Sequence, residues 1–192
     1  MSSSALDATV DVLDLYRWAT QDPQTQAAVL DQIYRRIRGV PAQVLREDFA
    51  GNAADSVAWV GGDSSRRAIA VDIHAPTLAY AAARAQRLLG DDRRRIQFHC
   101  SDVLALATPA MERAQLLCVL NFSCFYFHLR ADLQRYFERA FACLDETGVF
   151  VLNVFGGPAA MRPNLDRHRI VPRPEAGSSA PAAFDYEWEQ RS

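Results

Sequence analysis

Between residues 42 and 155 two hydrophobic rhythms take turns along the chain. Short apolar runs, AQVLRE (42–47), RAIAVDI (67–73), RIQFHC (95–100), AQLLCVLN (114–121) and GVFVLNVF (148–155), are interleaved with segments whose apolar residues recur at helical spacing. These segments are AADSVAWV (53–60), PTLAYAAARAQRLL (76–89) and ADLQRYFERAFACL (131–144). Such alternation predicts an α/β domain built on a mostly parallel, doubly wound sheet. Around Val71, Leu117 and Val151 the runs are nearly continuous, as in strands buried on both faces, so helices are expected on both sides of the sheet.

Upstream, DPQTQAAVLDQIYRRIRG offers Asp22 as N-cap, Pro23 at the first helical position, and Leu30, Ile33, Tyr34 and Ile37 at helical spacing, with Gly39 and Pro41 as the stop. A looser amphipathic stretch from Leu6 to Trp18 precedes it. Residues 1–40 are therefore expected to form a helical segment that packs on a core of residues 41–157, within a single domain overall. After Gly157 the texture changes. Residues 158–182 hold five of the nine prolines together with Gly177, Ser178 and Ser179, which reads as a loop or lid. The closing AFDYEWEQRS alternates Phe184, Tyr186 and Trp188 and reads as the start of a terminal strand, so that 158–192 is a proline-rich loop followed by one strand.

Composition narrows the chemistry. At 192 residues, 49% hydrophobic and 23% charged, the chain suits one globular domain, and its net charge of −2 supplies no broad electropositive field, so nucleic acid is not the expected partner. All 21 Lys+Arg residues are arginine. That excludes a lysine Schiff base and a phosphate-loop lysine. Cys100, Cys118, Cys124 and Cys143 form no C-x-x-C pair and read as buried thiols rather than a metal or redox centre. The start of the chain has no basic n-region, apolar h-region or membrane-length run, from which a cytoplasmic protein with no membrane association is expected.

In an open parallel sheet, ligands collect beyond the carboxyl ends of the strands, near the point where strand order reverses. Four successive strand ends here are polar: Glu47-Asp48 before Gly51, then Asp72, then Ser101-Asp102, then Asn121-Phe122-Ser123. Asp72 lies 21 residues past Gly51, a spacing that suits a carboxylate accepting from both hydroxyls of a ribose. The alternative is that it caps the helix beginning near Pro76. A dinucleotide needs several glycines to bring its pyrophosphate to the helix N-terminus, and VLREDFAGNAA has one. Glu47 and Asp48 beside that turn would repel a pyrophosphate and attract a cationic or amino-bearing ligand. Charge-assisted hydrogen bonds of ~1.5–3 kcal/mol each favour S-adenosylmethionine over NAD.

At this point the chain resembles the class I S-adenosylmethionine-dependent methyltransferases, over about residues 42–156. More narrowly, LREDFAGNA, AVDIHAPTLAYA, SDV and LNFS…YF…FGGP look like a poorly characterised bacterial branch whose first motif reads R-E-D-F-C-G-T, and LDLYRWATQDP has a counterpart there. The resemblance implies a Rossmann-like fold and carries roles over by position. Glu47 and the Gly51 loop would hold the methionine part, and Asp72 the ribose. Ile73 would flank the adenine, Asp102 and Val103 would hold its amino edge and ring, and Asn121 and Phe122 would line the methyl-donor side. Tyr16 would close over the carboxylate end, or else simply pack its helix. Two departures stand out. The family's E-x-G-x-G-x-G becomes Glu47-Asp48-Phe49-Ala50-Gly51-Asn52-Ala53. Such sheets also usually finish with a C-terminal antiparallel hairpin, which this chain is expected to lack, leaving an incomplete sheet edge through which copies of the chain would associate.

The expected activity is methyl transfer to a small-molecule acceptor that the sequence does not identify. Donor and acceptor held in line supply ~7–11 kcal/mol, and a general base is optional. Tyr126 and His128 are the candidates for that base, with a surface or helix-start role as the alternative for His128. Phe122, Phe125, Tyr126 and Phe127 would form an apolar wall, and Arg162, Arg167, His168, Arg169 and Arg173 of the lid either meet an anionic acceptor or are solvated. Two other readings are a degenerate homologue that binds the nucleoside or a partner without turnover, and, from VLNFS, a donor-modifying enzyme of the carboxy-S-adenosylmethionine synthase kind.

Overall fold

The computed structural model describes residues 11–105, 112–173, 175 and 182–191. It divides into two compact units, Pro23–Val154 and a second made of the chain on either side of it. The larger unit runs α2 (Pro23–Arg38; α1 belongs to the other unit), β1 (Val44–Asp48), α3 (Ala54–Gly62), β2 (Arg67–Asp72), α4 (Ala75–Leu89), β3 (Ile96–Cys100), β4 (Ala114–Val119), α5 (Arg130–Cys143) and β5 (Leu144–Leu152). The five strands form one sheet in the order β3-β2-β1-β4-β5, and every neighbouring pair is parallel. This is the Rossmann-like α/β sheet expected from the alternation, and its order reverses between β1 and β4.

Period-two alternation assigns each strand residue to a face. Leu45 of β1, Ala70 of β2 and Leu116 and Cys118 of β4 join a core with Ala27, Leu30 and Tyr34 of α2, Val57 and Val60 of α3, and Ala81 and Ala85 of α4. Val44, Ile69, Val71, Leu117 and Val119 face the other way, into a core with Tyr136, Ala140 and Cys143 of α5. All five residues of β1 are buried, its three charged residues included, so the strand is covered on both faces. Helix α2 begins at Pro23 and ends where Gly39 adopts φ +77° and donates its N–H to the Arg35 carbonyl, as its stop signals predict.

In the second unit, α1 (Val12–Thr20) is capped by Asp11, whose side chain accepts the Leu13 N–H at 2.8 Å, and Arg17 pairs with Glu175 at 3.1 Å. The expectation that 158–182 is a loop requires correction. Residues 164–170 form β6 (Asn164–Ile170), which pairs antiparallel with β7 (Phe184–Gln190) in a sheet of its own. An antiparallel pair therefore follows β5 where none was expected. The prolines flank β6 rather than fall within it, and the strand is set by its cross-strand partners, Arg167 opposite Glu187 and Arg169 opposite Asp185. The aromatic alternation of β7 is as expected, and Trp188 meets Phe155 with ring centroids 5.6 Å apart. Gly177, Ser178 and Ser179 lie outside the described residues. Among the described residues no helix is long and apolar enough to cross a membrane.

Candidate functional site

The site is built at the carboxyl ends of β1, β2, β3 and β4, beside the reversal in strand order. Among the described residues four non-glycine residues have positive φ, namely Phe49 (57°), Ala53 (50°), Asn121 (52°) and Phe122 (59°), and all four lie just past β1 or β4. With Gly51 (φ 50°), the three positions where the resemblance expects glycine all keep a left-handed backbone, although two carry side chains. A left-handed L-residue costs ~1–2 kcal/mol. Strain concentrated in two facing loops is a mark of a functional loop rather than of a connector.

The β1 loop is locked by its neighbours. The Ala50 N–H donates to the Val71 carbonyl at 2.9 Å, the Ala53 N–H to the Ala50 carbonyl at 2.7 Å, and the Gly51 N–H to Asp72 Oδ2 at 2.7 Å. The other carboxylate oxygen of Asp72 accepts the His74 N–H at 2.8 Å. Asp72 thus shapes the entry to α4, in the direction of its capping alternative, and also ties down the glycine turn. A carboxylate has about four acceptor positions, so each oxygen keeps one for a ribose hydroxyl. A Cβ placed on Gly51 would meet nothing within 4 Å, so open space lies beside the turn.

Glu47 and Asp48 do not both face that turn. Asp48 lies on the α5 side, where Oδ1 accepts from Arg46 Nε at 2.7 Å and Oδ2 from the Tyr136 hydroxyl at 2.8 Å, while Arg46 Nη1 approaches Cys143 Sγ at 3.0 Å. Arg46 neutralises it within this buried cluster. Glu47 points to the opposite face, where Oε2 accepts both the backbone N–H (2.9 Å) and the hydroxyl (2.6 Å) of Ser56. It caps the N-terminus of α3 from outside the helix. Burial, and next the charge of Asp55, push the Glu47 carboxyl up to about 8.

Asp55 is the residue that sequence reading missed. It sits in the first turn of α3 with 0% exposure, neither carboxylate oxygen has a hydrogen-bond partner, and burial pushes it up to about 7. The signal available was an acidic residue inside the apolar AADSVAWV segment. The carboxylate that accompanies Glu47 is therefore Asp55, and not Asp48.

The remaining strand ends complete the rim. Ile73 is 71% exposed although apolar. The Ser101 N–H donates to the Asp72 carbonyl at 2.9 Å, Asp102 accepts the Leu104 N–H at 2.8 Å, and Val103 is buried in the α5-side core. At β4 the Phe122 N–H donates at 2.9 Å to the side-chain oxygen of Asn153, a residue just past β5 that was also missed. Phe49 stacks edge-on against Phe127 and Tyr136 and approaches Tyr126 at 6.4 Å. Tyr126 (76% exposed), Phe122 and Phe125 present aromatic surface, and His128 is exposed just before α5. Tyr16 is exposed on α1, in the other unit. Among the described residues no group of three or more His, Cys, Asp or Glu is arranged to hold a metal ion.

This architecture is that of known methyltransferases. The sugar N-methyltransferase KedS8 from Streptoalloteichus sp ATCC 53650 superposes with a TM-score of 0.66 at 18% identity, over 98% of this chain and 81% of that one. The two chains share a fold. CalS10, an amino pentose methyltransferase from Micromonospora echinaspora determined with S-adenosylmethionine bound, gives 0.66 at 15% identity over 95% and 83% of the two chains. DesVI from Streptomyces venezuelae gives 0.63 at 15% identity over 94% and 83%. No protein-family model and no curated protein matches the sequence.

Proposed function

We propose that this chain is an S-adenosylmethionine-dependent methyltransferase of the R-E-D-F-type branch, acting on a small-molecule acceptor. The observation that carries the reading is the β1 turn, held in a left-handed backbone at Phe49, Gly51 and Ala53 and tied through Gly51 to the Asp72 carboxylate beside open space. A pyrophosphate has no welcome there, because the charges of Asp55 and Asp72 both already oppose the ionisation of Glu47 beside the turn. An amino-bearing, phosphate-free nucleoside fits.

When bound, the donor supplies a methyl group already activated on a sulfonium. The chain's own part is to hold and orient. Asp72 would accept from the ribose hydroxyls with its remaining lone pairs, and Glu47 would accept from the amino group. Ile73 would cover the adenine, with Asp102 and Val103 at its amino edge and ring. Asn121 and Phe122, their loop fixed by Asn153, would line the transfer side. Phe122, Phe125 and Tyr126 would exclude water and give a flat face to the acceptor, with Tyr126 or His128 taking a proton where the acceptor must lose one. The names of KedS8 and CalS10 make an amine on a sugar the first acceptor class to screen.

Calorimetric titration of the 192-residue chain with S-adenosylhomocysteine tests the reading. Micromolar binding, with no thermal stabilisation by NAD or ATP, is expected. A folded protein that ignores the nucleoside, or a clear shift with NAD, would overturn it.

A further inference from the structure

The buried carboxylates of Glu47 and Asp55 are not explained by methyl transfer alone. Glu47 is already satisfied by both donors of Ser56, and Asp55 lies fully buried on the next turn of chain with both oxygens unpartnered. Among the described residues, the groups that face the pair are Asp72 at the end of β2, Cys118 on β4 and Ser56 on α3. None is a cation. Arg46, the cation nearest in sequence, is committed to Asp48 on the opposite face of β1. Two carboxylates in a low-dielectric setting without a countercharge cannot both stay ionised, since each would pay the desolvation of a charge and the repulsion of its neighbour.

Resting on the methyltransferase reading, we propose that Asp55 is a positioning residue that acts through Glu47: the pair keeps a proton at neutral pH while the site is empty, and the ammonium of the donor replaces that proton on binding. The O–H bond of the carboxylic acid breaks, the proton passes to the solvent, and the ammonium N–H donates to the carboxylate in its place, so charge at the site balances before and after. A nucleoside without a cationic group has nothing to exchange for the proton. Asp55 thereby makes the site select for cationic ligands, beyond what Glu47 alone would do. The ordinary explanation, that Asp55 merely complements the positive end of α3, predicts no proton release.

Calorimetry with S-adenosylhomocysteine near pH 7.5, in two buffers of different ionisation enthalpy, counts the protons exchanged. The wild-type chain should release most of a proton per nucleoside bound, and its affinity should rise about tenfold per pH unit as pH climbs toward neutrality. In Asp55→Asn, with its fold checked by circular dichroism, no Asp55 charge opposes the ionisation of Glu47; release at this pH should fall to about half the wild-type value or less, and the affinity should level off at a lower pH. A second variant moves the other way. Ser56→Ala removes the 2.6 Å hydroxyl that favours the ionised Glu47, and should shift the affinity profile to higher pH. Binding by the wild type without proton release, or the same release from Asp55→Asn, overturns this inference and leaves the methyltransferase reading standing. No binding by folded wild type overturns that reading itself.

Discussion

Replacing Asp55 by asparagine in the ligand-free protein should stabilise it more at pH 8 than at pH 5. Asp55 titrates at an ordinary 3.8 once unfolded and at about 7 when folded, because burial penalises its charge. A carboxyl raised on folding contributes stability that is complete below pH 3.8 and is lost as pH climbs to about 7. The full loss is ~4 kcal/mol, of which ~3 kcal/mol falls between pH 5 and pH 8. Relaxation around a buried charge reduces this, so a change of ~1.5–3 kcal/mol between the two pH values is the working figure. Asparagine keeps the shape and removes the titration. Whatever its amide costs by being buried is the same at both pH values and cancels in the difference. Urea unfolding of wild type and variant at pH 5, 6, 7 and 8, followed by circular dichroism and by the fluorescence of buried Trp59, measures it. At ~2–4 °C per kcal/mol for a chain of this size, melting points should diverge by several degrees. A stability difference that is flat in pH, or that moves the other way, would refute the reasoning, since it would mean that Asp55 has an ordinary carboxyl environment. Glu47, raised to about 8, adds a contribution of the same sign, so the empty wild-type protein should itself weaken as pH rises from 5 to 8.

Asp72→Ala removes the acceptor of the Gly51 and His74 N–H groups as well as the expected ribose ligand. Nucleoside affinity should fall about a hundredfold or more, at ~1.5–3 kcal/mol per charge-assisted bond lost, while thermal unfolding stays cooperative and shifts by only a few degrees. Affinity within a factor of about three of wild type, measured by calorimetry, would remove Asp72 from the site. Tyr136→Phe tests the opposite face of β1. It takes a 2.8 Å hydrogen bond from buried Asp48 and should cost ~1–3 kcal/mol in urea unfolding without changing nucleoside affinity. Lost affinity at unchanged stability would place that cluster in the binding machinery instead.

Much of this protein was legible in its residues because local rules and the tertiary structure agree. Pro23 and Gly39 delimit α2, and the nearly continuous apolar runs of β2 and β4 announce strands covered on both faces, which forces helices onto both sides. The polar residues ending those runs mark the expected site, since charge in a sheet covered on both faces must either be paired, as Arg46 is with Asp48, or lie where the strands stop. Where the outcome depended on a partner distant in sequence, the residues alone did not decide. Prolines argued for a loop around β6, and pairing with β7 made a strand of it. Adjacent Glu47 and Asp48 looked like one acidic pair, yet the pleat sends them to opposite faces, one to Ser56 and the other to Arg46 and Tyr136. Asp55 was passed over within an apolar helical segment, and only the packing of α3 against the sheet buries it without a partner. Composition and periodicity determine which chain segments are apolar enough to meet. Which charged groups are stranded together when they do is a property of the assembled fold, because desolvation and repulsion act through space rather than along the chain.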